Sequence, residues 1–264
     1  MTLADAVSSD IAFHPSWPAS AQALVRRAID RHGGWSLWSR LQGVTINLVA
    51  LRGFLPWFKG RGRTFQMARS LTTFPKAWRT EWRERQDAPC FAIFDRGDMR
   101  LVDPAGGVRQ ESRQHRRTFR GLGKLRRWTM LDAHYFFGYA WASYTAAPFI
   151  LPSLVFAGDA VGYARGERLT GVRVRYPAGA DVHSLSQRYL FDASGLLKRN
   201  DYVADVVGSW AVGAHLWEDF VTVEGLPIPA RRTVFRRAGR GTVPFPTVLG
   251  ATFEGFAVRL GGIA

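Results

Sequence analysis

Between Lys76 and Gln86 the chain alternates: Trp78, Thr80, Trp82 and Glu84 fall on one side, Arg79, Glu81, Arg83 and Arg85 on the other. A period of two is the mark of a strand with one buried face. Similar runs recur. VTINLVALRG, after Gly43, alternates in part, and KGRGRTFQMARSL reads as a glycine turn at 60–62 followed by a strand. CFAIFDRGDMRLV has the form of a hairpin turning at Asp95-Arg96-Gly97-Asp98. Further strands are predicted at 154–164, 168–176, 187–192, 196–207, 211–223, 229–237 and 243–259, with FDASGLL and PAGAD as turns.

Helical spacing appears in three places. ASAQALVRRAID, opened by Pro18 or Ser20, sets Ala23, Leu24, Ala28 and Ile29 on a helical repeat and stops at His32-Gly33-Gly34. A short helix follows from Trp35 to Leu41, with Trp35 and Trp38 on one face. The long helix covers 128–147. His134, Phe137, Trp141 and Tyr144 form one stripe and Asp132, Phe136, Tyr139 and Ser143 another. It is apolar on nearly every side, which implies burial all round. The basic stretch 109–127 interrupts the sheet just before it.

Ten or more antiparallel strands, two N-terminal helices and one central helix predict an α+β fold. A sheet this long must curl or close, and the apolar helix is the natural plug for the concave face of a half-barrel. Residues 1–17 are expected to form a mobile lead, and 18–264 a single domain.

Composition narrows the classes. With 47% hydrophobic and 22% charged residues and one cysteine, the chain is neither disordered, nor a disulfide scaffold, nor a collagen-like repeat. The lone Cys90 fits a reducing compartment. MTLADAVSSDIAFHPSWPAS has neither the basic start nor the apolar core of an export signal, so the expected location is cytoplasmic. The uncharged run Tyr135–Ala157 is long enough to cross a bilayer. Asp132 and His134 at its start, and Pro148 and Pro152 in its second half, favour a buried helix and strand instead.

Lys+Arg is 36 and Asp+Glu 21, a formal charge of +15. Arg109–Arg127 carries eight basic residues and one acid, and so supplies +7 of it. Arg113, Arg116 and Arg117 are therefore candidates for contact with anionic head groups or a membrane surface. A second cluster comprises Arg231, Arg232, Arg236, Arg237 and Arg240. Basic and aromatic residues interleave in KAWRTEWRER, but no nucleic-acid module accompanies them, and nucleic acid is not an expected partner.

No phosphate loop, GxSxG, HxH or HExxH is present, so no metal and no cofactor are expected. The polar constellation of interest is Asp132/His134, His183/Ser184, Arg199/Asp201/Tyr202 and His215. Arg199 and Asp201, two apart on a strand, share a face. Such a pair either fixes sheet register or orients a histidine for acid–base work. The catalytic candidates are His134, His183, His215 and Asp201. For ligand binding, Tyr135, Tyr139, Trp141, Tyr144, Phe149 and Tyr202 would line an apolar pocket, with Asp132, His134, Arg199 and Asp201 as polar anchors.

Several segments resemble a bacterial family whose members mostly lack assigned activity. They are HGG at 32–34 followed by Trp38 and Leu41, LDAHYFFGYAWASYTAAPFIL at 131–151, HSLSQRYLFDASGLLKRNDY at 183–202, His215, and GLPIPARR at 225–232. That family is similar in fold to the lipoprotein carriers LolA and LolB, half-barrels with a hydrophobic hollow, and to VioE, an enzyme of violacein biosynthesis. The resemblance implies a half-barrel that binds a hydrophobic small molecule or lipid acyl chain. The alternatives are a cofactor-independent enzyme using His/Asp groups in the same cavity, and an interaction protein docking through its arginines.

Overall fold

The computed structural model describes residues 12–60 and 69–262. The chain begins with α1 (Ala19–Arg31), α2 (Gly34–Arg40), β1 (Leu41–Arg52) and α3 (Phe54–Phe58). A meander follows: β2 (Arg69–Phe74), β3 (Arg79–Arg83), β4 (Cys90–Asp95), β5 (Asp98–Val102) and β6 (Val108–Ser112). Two 3-10 turns, His115–Phe119 and Gly121–Lys124, lead into α4 (Met130–Ala146). The second half runs β7 (Val155–Ala164), β8 (Glu167–Arg175), β9 (Ser186–Phe191), β10 (Leu197–Val203), β11 (Val212–Val223), β12 (Leu226–Ala238), β13 (Gly241–Val243) and β14 (Leu249–Leu260).

The fourteen strands among the described residues belong to one antiparallel sheet, in the order β6-β5-β4-β3-β2-β1-β14-β12-β11-β10-β9-β8-β7, with β13 pairing β12. β1 pairs β14, which joins the two meanders. The sheet stays open, with β6 and β7 at its edges. The Asp95–Asp98 hairpin is as expected: Arg96 and Gly97 both have positive φ, 46° and 95°, as a type I′ turn requires.

α4 lies in the concave face against β2–β5. Its start is fixed by a capping box, in which Thr129 accepts from the Asp132 N–H and the Asp132 carboxylate accepts from the Thr129 N–H. Every residue from Leu131 to Tyr144 is buried, which answers the all-round apolar pattern. Gly138 permits the close approach to the sheet. A Cβ there would lie 2.5 Å from Phe94 Cβ, and Thr80 donates to the Gly138 carbonyl at 3.1 Å. The main core fills the space between α4 and the sheet. A second core, Ala160, Ala164, Leu169, Leu190, Leu216 and Phe235, lies on the other face of β8–β12. There β7 curls back so that the Tyr163 N–H donates to the Arg240 carbonyl at 3.0 Å.

Three expectations change. The basic stretch does not leave the sheet at once, because its first residues form edge strand β6. The segment after β1 forms the short helix α3, whose aromatic residues pack on each other. Residues 1–11 of the expected mobile lead, and most of the 60–68 turn and strand, lie outside the described residues. Residues 14–17 are pinned: Trp17 is buried and donates to the Leu154 carbonyl at 2.7 Å, and the His14 N–H donates to the Pro152 carbonyl. Among the described residues no helix is long and apolar enough to cross a membrane.

Candidate functional site

The inner face of α4 presents Tyr139, Trp141 and Tyr144 to the β9–β12 half of the sheet. His183, in the loop between β8 and β9, sits between two of their hydroxyls. Its Nδ1 is 3.2 Å from Tyr139 Oη, and its Nε2 is 2.6 Å from Tyr144 Oη. Tyr144 donates onward to Tyr202 Oη at 3.3 Å. A neutral imidazole has one N–H, so the run with consistent direction is Tyr139 to Nδ1, Nε2–H to Tyr144, Tyr144 to Tyr202. The imidazole stacks on the Tyr202 ring with centroids 3.8 Å apart. Burial, then the Arg116 charge, hold His183 well below the usual imidazole range.

Next to this run stands Arg232 of β12. It is opposite Trp217 of β11, and His215 is opposite Val234, so all four project to the concave face. The guanidinium carbon lies 4.1 Å from the Trp217 ring centroid, 4.6 Å from Trp141 and 4.8 Å from Tyr144. Arg232 is 6% exposed. Its Nε and Nη1 have no hydrogen-bond partner among the described residues. Three aromatic faces, each worth ~2 kcal/mol to a desolvated cation, offset part of the cost of burying it. Burial pushes its pKa down to about 9, with Tyr144 and Tyr202 pulling the other way, which leaves it charged at neutral pH. His215 Nδ1 and Trp217 Nε1 are likewise without partners. Burial, then the Arg232 charge, hold His215 well below the usual imidazole range.

Three cavities adjoin this cluster. Arg232, Trp141 and Tyr144 line two small ones, of about 40 and 30 Å³. The first shares Phe136, Tyr202, Val234 and Leu249 with a larger, mainly apolar cavity of about 360 Å³. That cavity reaches the surface between Phe54, Trp210 and Phe245. Trp210 and Phe245 are 58% and 84% exposed, so the mouth is rimmed by solvent-facing aromatic rings.

The sequence-derived candidates therefore divide. Tyr139, Trp141, Tyr144, His183, Tyr202 and His215 converge. His134 does not join them: its Nδ1 bonds the Met130 carbonyl at 2.8 Å, and its ring sits between Trp82 and Phe91, with burial lowering its pKa to about 4. Asp132 is bound by Arg126 through both oxygens, by His115 at 2.9 Å and by Thr129. Burial works to raise its pKa, but these partners hold it well below the carboxylate range. Tyr135 donates to Asp181. Phe149 stacks on Trp38, 4.5 Å between centroids, beneath the N-terminal helices.

Arg199 and Asp201 correct the anchoring expectation. They are indeed two apart on one face of β10, but it is the face away from α4, beside Leu190 of the second core. The alternation that puts Tyr202 against Tyr144 and His183 forces Asp201 outward. His183 and His215 thus have tyrosines and Arg232 as neighbours, not Asp132 or Asp201. What the sequence reading missed is Arg232 and Trp217. The signal was available: Ile228, Arg232 and Val234 share one parity, which places an arginine on an apolar face.

The basic segment is also divided. Arg116 donates to the Val182 and His183 carbonyls and pairs with Asp205. It holds the His183 loop rather than standing free. Arg113 is exposed. Arg117 lines a cavity of about 720 Å³ together with Arg96, Arg120, Lys124, Asp181 and Asp205. Leu122 and Leu125 of the same segment project into solvent, 82% and 67% exposed. Among the described residues no three His, Cys, Asp or Glu side chains converge on a metal site.

No family model and no curated protein matches the chain. Among solved structures it is similar to a LolA superfamily protein from Nitrosomonas europaea, at 12% identity and TM-score 0.46 over 92% of this chain and 94% of that one. A DUF1329 family protein from Desulfovibrio piger gives 11% identity and TM-score 0.44 over 90% and 92%. A putative outer membrane lipoprotein-sorting protein domain from Vibrio parahaemolyticus gives 10% and 0.43 over 90% and 92%. These are loose likenesses of chain trace. The half-barrel form of this chain rests on its own open, curved sheet and the helix it wraps.

Proposed function

We propose that this protein binds a hydrophobic small molecule or acyl chain in the hollow between α4 and the sheet. The observation that carries the reading is the 360 Å³ cavity lined by Phe136, Val207, Val234 and Leu249 and open at an aromatic rim. An apolar recess with few, placed polar groups is the general form of a small-molecule site. At the ~30 Å³ that a water takes in the liquid, the recess has room for on the order of ten methylene-sized groups. Tyr202 supplies a hydroxyl where the larger cavity meets the inner one.

Dodecanol titrated into delipidated protein, followed by tryptophan fluorescence and native mass spectrometry, tests this. We expect saturable one-to-one binding and a blue shift from Trp210. Ala211→Phe, which fills the cavity near its mouth, weakens binding at least tenfold with an unchanged melting temperature. No uptake of the probe, or equal uptake by this variant, sinks the reading.

The same reading gives the basic segment a role in peripheral contact with anionic membrane. Lys59, which donates to the Lys124 and Arg126 carbonyls, ties α3 and its exposed Trp57 to that segment. Exposed Leu122 and Leu125 share this segment with the exposed Arg113, Arg117 and Arg120. Apolar tips within a basic field suit an anionic lipid surface. Vesicles with about a third phosphatidylglycerol sediment the protein at low salt and release it at high salt. Arg113→Glu/Arg117→Glu abolishes the sedimentation. Equal sedimentation with neutral phosphatidylcholine vesicles overturns the assignment.

A further inference from the structure

Arg232 is a cation in the interior with no acidic partner among the described residues. Among the described residues, Trp217 Nε1 is an N–H donor with no acceptor, and His215 Nδ1 is also unpartnered. The acids beside Trp217 on β11 do not help. Glu218 accepts from Arg165 and Thr233, and Asp219 from Arg231, on the side of the sheet away from α4. Aromatic faces stabilise the positive charge, but they do not satisfy the in-plane N–H groups of a guanidinium fork. A buried donor left without an acceptor is costly, and each such group in a folded protein calls for an explanation.

The geometry around it supplies one. The inner cavity of about 40 Å³, lined by Arg232 and His215, has the size of a single small planar group. Through Phe136, Tyr202, Val234 and Leu249 it shares its wall with the 360 Å³ cavity. A group held at Arg232 is thus placed next to a channel suited to an alkyl chain.

We propose that Arg232 is the seat of an anionic head group, and that the ligand is an amphiphile with a single carboxylate. The carboxylate lies along one edge of the guanidinium, its oxygens accepting from Nε and Nη2 or from Nη1 and Nη2, and the chain runs past Val234 and Phe136 toward Trp210 and Phe245. The planar, two-oxygen form of a carboxylate matches the guanidinium fork. A phosphodiester, tetrahedral and carrying two substituents, exceeds the inner cavity. The inference rests on the proposed function, and it names the ligand class for the same hollow.

The test is a matched pair of probes, dodecanoate and dodecanol, titrated into the delipidated protein at pH 8. We expect the acid to bind at least tenfold more tightly than the alcohol. Arg232→Met removes that preference while changing the dodecanol affinity less than threefold, and Arg232→Lys, which keeps charge but not the fork, retains part of it. Equal affinity of wild type for acid and alcohol overturns the head-group seat and leaves the hydrophobic hollow standing. Binding of neither probe overturns both. Should Arg232→Met not fold, the wild-type ratio decides, together with ¹³C NMR of carboxyl-labelled dodecanoate. Seated at Arg232, the bound carboxyl keeps its ionised shift as pH falls below the point where free acid protonates. A shift that titrates like the free acid overturns the seat.

Discussion

Two arginines are buried among the described residues on opposite faces of one sheet, and they are buried in opposite ways. Arg199 on β10 donates through Nε and Nη2 to the two oxygens of Asp201, and through Nη1 and Nη2 to the carbonyls of Tyr163, Arg240 and Gly241. All three of its nitrogens are engaged, and the carbonyls it holds close the curl of β7 over the second core. Arg232 on β12 has three rings and, at Nε and Nη1, no acceptor among the described residues. A satisfied buried charge is part of the fabric. An unsatisfied one beside a cavity is a place for something else.

The largest effect of a single substitution that probes this contrast is on stability. Arg199→Met leaves Asp201 and three carbonyls without their donor, and costs about 3–5 kcal/mol in denaturant unfolding. Adding Asp201→Leu recovers only part of the loss, because the carbonyls stay unpaired. Arg232→Met leaves no acceptor stranded, and the lost ring contacts trade against a lighter desolvation cost, so its change stays below about 1 kcal/mol. Equal losses at the two sites would break the comparison.

A second measurement reads the concave side through pH. Burial lowers the pKa of His32 and His134 to about 4, and sets His183 and His215 well below their ordinary value. The unfolded chain then binds more protons than the folded one. Stability from these groups is complete above pH ~6.5 and falls as pH drops toward 4, by about 1.4 kcal/mol per pH unit for each group. Asp132, held low by Arg126, His115 and Thr129, adds a further loss as pH falls below about 4. His134→Phe flattens the upper window by one group's share. A stability curve level from pH 7 to 5 contradicts the assignment of neutral buried histidines.

A third pair of substitutions concerns the hydroxyl run. Tyr144→Phe removes the links to His183 and Tyr202 and costs about 1–3 kcal/mol, because it strands a buried partner. Tyr202→Phe removes the last acceptor of the run and costs about 1 kcal/mol, and it lowers ligand affinity only if the hydroxyl meets the ligand.

The sequence was most legible where a pattern had one solution. Alternation located most strands, and the DRGD turn fixed the β4–β5 register. The all-round apolar segment at 130–146 had to be buried inside something. The site was legible in part. Tyr139, Trp141 and Tyr144 follow helical spacing, and Tyr202 follows strand parity, so their approach to His183 needed only the right half of the sheet behind α4. Parity by itself does not say which side faces inward when both are covered. On β10 both Arg199 and Tyr202 are buried, because a second core lies behind the first. That hidden layer misdirected the reading of Arg199 and Asp201. It also concealed Arg232, which looked like one more member of a surface cluster with Arg231 and Arg236.

Strand period, helix period, turn chemistry and capping are local properties, set by backbone geometry and the side chains within a few residues. They sufficed for a curled antiparallel sheet around an apolar helix. Which charges are answered is not local: Asp201 meets Arg199 along one strand, but the carbonyls of Tyr163, Arg240 and Gly241 arrive only when the sheet closes on itself. The rings that surround Arg232 come from α4 and β11, and only packing brings them together. Whether a buried charge is structural or open to a ligand is therefore decided by the tertiary fold, because desolvation and its compensation depend on every neighbour at once.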